Sequence, residues 1–197
     1  MSAVNEWIVR EYFELNGFFV HQPRKYEIQG KRKEINEEID LIAINPVAIN
    51  HKLPERFILT AEDLVHIQRA VIAIRGWHTE RFYASTIDKM PKILRFTEQR
   101  VIEFASCFIG DGPIAKILCI PALPATGELK EATINKLRER GVDGIIGFGT
   151  ILIELIARIQ VNRNYVKSDL LQIIRLLKRY DLLKDVQLDL FGRRKKR

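Results

Sequence analysis

The chain has 197 residues, of which 47% are hydrophobic, and 32 Lys and Arg stand against 25 Asp and Glu for a net charge of +7. That length and apolar content predict one domain with a real core, or one domain with a small appendage. No apolar run approaches the roughly 18 residues of a membrane span, and the start lacks a basic-then-apolar leader, so the chain reads as cytoplasmic. The positive charge favours polyanions as partners, nucleic acid before membrane.

In chain order, residues 5–16 place Trp7, Ile8, Tyr12 and Leu15 at helical spacing, with Trp7 expected to pack inward. Gly17 follows where a helix-ending glycine belongs. Residues 18–20 and 26–28 read as short extended pieces, Lys31, Arg32 and Lys33 as a basic turn, and 34–45 as a returning strand. A helical turn over 61–67 starts at the cap residue Thr60. Residues 70–74 then read as a central strand buried on both faces, which ends at Arg75, Gly76, Trp77 and His78. Helical patterns over 87–96 and 98–108 break near Thr97. They are followed by a strand over 115–121, a helix over 128–140, a strand over 144–148 and a helix over 150–161. Ser168 caps a last helix that reaches Arg179. Cys107 and Cys119 sit in apolar contexts and are expected to be buried thiols rather than a metal knuckle or a disulfide. This order predicts an α/β sandwich with a mixed sheet.

Three residues converge on one edge of such a sheet: Glu6 in the first helix, Asp40 in an otherwise apolar strand, and Arg75 at the end of the central strand. Two carboxylates and a cation at strand ends suit a divalent-metal phosphodiester site, with Mg²⁺ held by hard oxygen ligands and activating a water. The alternative is a structural Asp40–Arg75 ion pair across neighbouring strands. Trp77 reads as a base-stacking residue or a plug of the core, and His78 as a loop residue.

The residues 5–18 (Asn-Glu-Trp-Ile-Val-Arg-Glu-Tyr-Phe-Glu-Leu-Asn-Gly-Phe), the run Glu38-Ile39-Asp40-Leu41-Ile42-Ala43 and the strand Ile72-Ala73-Ile74-Arg75-Gly76-Trp77 together resemble the PD-(D/E)XK nuclease superfamily, in its Mrr-like and Holliday-junction-resolvase-like branches. The resemblance implies a restriction-endonuclease-like three-layer sandwich over residues 1–180, with 181–197 as a tail. It also implies a catalytic set in which Glu6 and Asp40 bind metal. The sequence departs from that pattern where it matters. Ala73 stands at the position of the second metal-binding acid, and Arg75 at the position of the lysine. An alanine methyl cannot ligate a cation, and arginine is too basic for proton transfer at neutral pH. Arg75 could still clamp a phosphate. Glu38, Glu62, Asp63, His78 and Glu80 are the nearby candidates for a relocated ligand.

In the tail, Gln187-Leu188-Asp189-Leu190-Phe191 resembles the pentapeptide that binds the bacterial sliding clamp. Its apolar residues would otherwise tuck the tail back onto the domain. Arg193, Arg194, Lys195, Lys196 and Arg197 form a basic end that would hold DNA phosphates in a salt-sensitive way, alongside Lys31, Arg32 and Lys33. The expectation is a nuclease-fold DNA-binding protein with an inactive or weak catalytic centre, in DNA repair, replication or foreign-DNA handling. An active Mg-dependent, structure-selective endonuclease and a non-catalytic interaction scaffold are the other two readings.

Overall fold

The computed structural model describes residues 3–23, 39–78 and 80–183. The basic turn at Lys31, Arg32 and Lys33, the strand piece 26–28, Glu38, the pentapeptide 187–191 and the basic end 193–197 lie outside the described residues. Packing divides the chain into two compact units, Met1–Ile151 and Leu152–Arg197, whereas the sequence reading drew its boundary at residue 180.

The first unit is a five-stranded mixed sheet with helices on its faces. It opens with helix α1 (Ala3–Leu15), then strands β1 (Phe19–His21) and β2 (Leu41–Ile44), the short helix α2 (Ala61–Leu64) and strand β3 (Arg69–Ile74). Helix α3 (Ala84–Lys89), a 3₁₀ segment (Pro91–Thr97) and helix α4 (Gln99–Ile109) follow. Strand β4 (Ala115–Ile120), helix α5 (Gly127–Glu139) and strand β5 (Gly144–Gly147) complete the sheet, and helix α6 (Phe148–Arg158) begins in this unit and runs into the second. The strand order is β1-β2-β3-β4-β5. The pairs β1/β2 and β2/β3 are antiparallel, whereas β3/β4 and β4/β5 are parallel. Helices therefore make the crossovers in the parallel half, as a parallel connection requires.

Alternation along the strands sorts the core into two layers. Ile42, Val71, Ala73, Leu118, Ile120 and Ile145 join Phe82, Ile87, Phe96, Val101, Ala105 and Leu137 in one cluster beneath α3, the 3₁₀ segment, α4 and α5. On the opposite face Leu41, Ala43, Ile72, Ile74 and Ile117 are equally buried, and α1 packs against β1, β2 and β3. With both faces covered, β3 and β4 become the near-continuous apolar runs seen in the sequence.

Local details follow the sequence reading in most places. Gly17 and Gly141 end their helices with φ of +86° and +79°, a backbone region in which glycine has no steric penalty. Asp63 Oδ2 accepts from the Thr60 N–H at 2.9 Å and from its hydroxyl at 3.1 Å, which fixes the start of α2. The helical pattern expected over 87–96 is in fact α3 followed by a 3₁₀ segment, because Pro91 removes an N–H and Met90 leaves helical geometry.

Two packing expectations are corrected. Trp7 does not pack inward: it is 37% exposed, and α1 buries Asn5, Val9, Tyr12 and Phe13 instead. Cys119 is buried as expected, but Cys107 is exposed on α4, whose buried face is Val101, Ala105 and Ile109.

In the second unit, helix α7 (Asp169–Arg179) starts at Ser168, whose Oγ accepts the Leu171 N–H at 3.2 Å. Lys178 Nζ donates to the carbonyls of Ile156 and Ile159 at 3.2 and 3.1 Å, satisfying acceptors that the end of a helix leaves open.

Candidate functional site

Two of the three sequence-predicted site residues meet. Asp40 lies immediately before β2 and Arg75 immediately after β3, and the antiparallel pairing of those strands brings the two ends together. The Asp40 N–H donates to Ile72 O at 3.1 Å, and the Arg75 N–H to Cys119 O at 2.8 Å, so both backbones are held by neighbouring strands. Arg75 Nη1 donates to Asp40 Oδ2 at 2.9 Å, and the same oxygen accepts the Ile74 N–H at 2.8 Å. Two further guanidinium donors reach backbone: Nη1 to Ile74 O at 2.7 Å, and Nη2 to Ile93 O at 2.9 Å. Asp40 is 1% exposed and Arg75 7%. The structural ion pair weighed from the sequence is what forms.

That arrangement has two chemical consequences. The guanidinium occupies the space beside Asp40 Oδ2 in which a ligated cation would sit, and three of its five N–H donors are spent on Asp40, Ile74 and Ile93. Arg75 also ties β3 to the 3₁₀ segment through Ile93, a structural role that a lysine, as a single point donor, could not reproduce with the same geometry.

Ala73, at the position of the missing acid, is fully buried in the apolar cluster. A carboxylate there would be desolvated among Ile42, Val71 and Leu118, so alanine suits the surroundings.

Glu6 takes a different partner: its Oε2 accepts a hydrogen bond from Gln22 Nε2. Among the described residues no three His, Cys, Asp or Glu side chains are gathered so as to hold a metal ion. Among the described residues the candidate relocated ligands are dispersed as well. Asp63 is engaged by Thr60 and by Arg56 at 3.2 Å, and His78 bonds to Asn5. Among the described residues, those around Asp40 do not fit a Mg²⁺ centre.

Beside the pair lies a contact that the sequence did not signal. Asn5, buried in α1, donates from Nδ2 to Gly76 O at 3.1 Å. This fixes the amide orientation, so Asn5 Oδ1 accepts from His78 Nε2 at 3.0 Å. A Cβ at Gly76 would lie 2.7 Å from Asn5 Cγ, so only glycine permits this approach of α1 to the β3 end. The His78 ring meets Phe148 edge-on at 4.7 Å. Trp77 is not a core plug. It is 38% exposed and stacks on Phe82 with an interplanar angle of 3°.

Cys119, on the adjoining strand, has its thiol pushed far up, first by burial and then by the Asp40 charge. The thiolate, which is the reactive form, is therefore disfavoured.

Charge is divided unevenly between the units. Residues 1–151 carry 20 Lys and Arg against 20 Asp and Glu, and residues 152–197 carry 12 against 5, so the net charge of +7 lies wholly in the second unit. No helix among the described residues is long and apolar enough to cross a membrane. Comparisons of the chain with protein-family models, with curated proteins and with solved structures found no match.

Proposed function

We propose that this is a nuclease-fold protein that binds nucleic acid without cutting it. In this reading the catalytic position of a restriction-endonuclease-like sheet has become a structural ion pair. The observation that carries the reading is the Asp40–Arg75 pair: the metal-binding aspartate of the resembled motif neutralises the arginine that stands in place of its lysine. The strand order supports the same fold, since an antiparallel β1-β2-β3 meander is followed by parallel β4 and β5.

Nucleic-acid affinity would then come from the basic residues 152–197, including Arg193–Arg197, rather than from the neutral first unit. Binding of this kind is electrostatic and weakens with salt, by about 0.9 log units of affinity per log unit of salt for each phosphate neutralised on duplex DNA. The test is duplex binding measured across a salt series for wild type and for a chain with residues 193–197 changed to alanine. The substituted chain is expected to bind more weakly and with a shallower salt slope. Equal affinity and slope in the two proteins would remove this assignment.

The pentapeptide 187–191 adds a partner to the proposal. A glutamine, two leucines and a phenylalanine at those spacings suit an apolar groove with a polar mouth, as on a bacterial sliding clamp. Capture of the clamp by wild type, lost in a Gln187→Ala/Phe191→Ala variant, is the expected result. No capture by wild type would eliminate the clamp while leaving the DNA proposal standing.

A further inference from the structure

We infer that a cleft between α5 and residues 56–58 binds a small phosphorylated molecule with a planar apolar body, of which a mononucleotide is the simplest. The inference goes beyond the proposed function, because the cleft lies in the neutral first unit and uses none of residues 152–197.

The cleft measures about 730 Å³, within the range of small-molecule sites. Its floor is apolar, formed by Phe57, Ile58 and Ile134. The floor is rigid on the sheet side. Ile58 bridges Ile145 of β5, the Ile145 N–H donates to Phe57 O, and the Leu59 N–H donates to Ile145 O, both at 2.8 Å.

The walls are basic. Lys130 and Arg138 stand four residues to either side of Ile134 on α5, and residues at that spacing share one helix face. The Arg138 guanidinium carbon lies 4.9 Å over the Phe57 ring, and Arg56 enters from the opposite side.

Partnering separates these cations. Arg56 is held by Asp63 at 3.2 Å, whereas among the described residues Lys130 and Arg138 have no acidic partner. Glu131 is the one acid in the lining. Cations with no acidic partner beside a fixed apolar floor match a phosphate joined to a ring: charge-assisted hydrogen bonds would take the phosphate, and the half-buried Ile58 and Ile134 would take the ring, while Phe57 lies buried beneath Arg138. The phosphate could belong to a free nucleotide or to the 5′ end of a nucleic acid.

The test uses the full chain with adenosine monophosphate as the probe and adenosine as its phosphate-free control, read by calorimetry. Adenosine monophosphate is expected to bind at least about tenfold more tightly than adenosine. A Lys130→Ala/Arg138→Gln variant is expected to lose at least about tenfold in that affinity. Its melting without ligand and its salt-dependent duplex binding should stay near wild type, which separates failure of the cleft from failure of the DNA reading. Oligonucleotides with and without a 5′ phosphate identify the source. A preference for the phosphorylated end that vanishes in the variant assigns the cleft to nucleic-acid ends, and equal binding of both assigns it to the free nucleotide. Absence of both nucleotide binding and end preference would overturn the inference. So would nucleotide binding that the two substitutions leave unchanged.

Discussion

Arg75 and Asp40 form a buried unit in which the Asp40 carboxylate holds both the Arg75 guanidinium and the backbone of Arg75's own strand. Asp40 Oδ2 receives Arg75 Nη1 at 2.9 Å and the Ile74 N–H at 2.8 Å, while Arg75 also bonds to the Ile74 and Ile93 carbonyls. Removing either member strips a buried charge of this counterion, which costs about 3–5 kcal/mol. Asp40→Ala and Arg75→Ala should each lower stability by that order. The double variant should lose less than the two losses added together, because it leaves neither charge stranded. Urea denaturation of the four proteins measures this, and strict additivity would mean that the pair is not coupled.

Gly76→Ala should destabilise by about 1–3 kcal/mol, the usual range for overpacking. The new methyl group would run into the Asn5 amide and break its bond to Gly76 O. An Asn5→Ala/Gly76→Ala chain should recover part of the loss, since the clash disappears with the amide. Thermal melting of the three variants checks the order of stabilities.

The two thiols should separate cleanly in reactivity. A native chain treated with an aromatic disulfide reagent should release one equivalent at Cys107, which is exposed, and the second only after denaturation. Burial and the neighbouring carboxylate both hold Cys119 in its protonated form. Two equivalents released at the same rate from native protein would contradict this placement.

His51 predicts a pH dependence. Burial first, and then the Arg69 charge, lower its pKa from the ordinary 6.5, against an opposing pull from Asp143. Its Nδ1 lies 3.3 Å from the Gln68 N–H nitrogen and accepts that bond as neutral imidazole. Above pH 6.5 the group is neutral in folded and unfolded chains alike, and its contribution is fully present. As the pH falls below 6.5 the unfolded chain takes up the proton first, so stability is lost until the folded pKa is passed. Denaturation midpoints at pH 7.5 and 5.5 should differ more for wild type than for His51→Asn.

Much of the sheet was legible in the sequence, because a strand buried on both faces writes an unbroken apolar run. Residues 70–74 did so, and the polar residues that interrupt or end such runs, Asp40 and Arg75, found each other as the ion-pair alternative required. The face of α1 was misread because Trp7 and Ile8 carry more apolar area than Asn5. The helix instead buries the stripe of Val9, Tyr12 and Phe13, and Asn5 on that stripe bonds to Gly76 across 71 residues. Cys107 was misplaced because its apolar neighbour Phe108 is itself exposed, and the buried stripe of α4 runs through Val101, Ala105 and Ile109 instead. The α5 cleft left only a faint trace, the Lys130, Ile134 and Arg138 spacing. Its other wall comes from residues 56–58, which nothing in local periodicity connects to α5.

The central claim is that the Asp40 position is structural rather than catalytic. It is tested most directly by incubating wild-type protein and an Asp40→Asn variant, at a temperature where melting shows both folded, with linear, nicked and branched DNA in the presence of Mg²⁺. The account predicts salt-sensitive binding by wild type and no Mg²⁺-dependent cleavage by either protein. Cleavage by wild type that disappears in Asp40→Asn would contradict it.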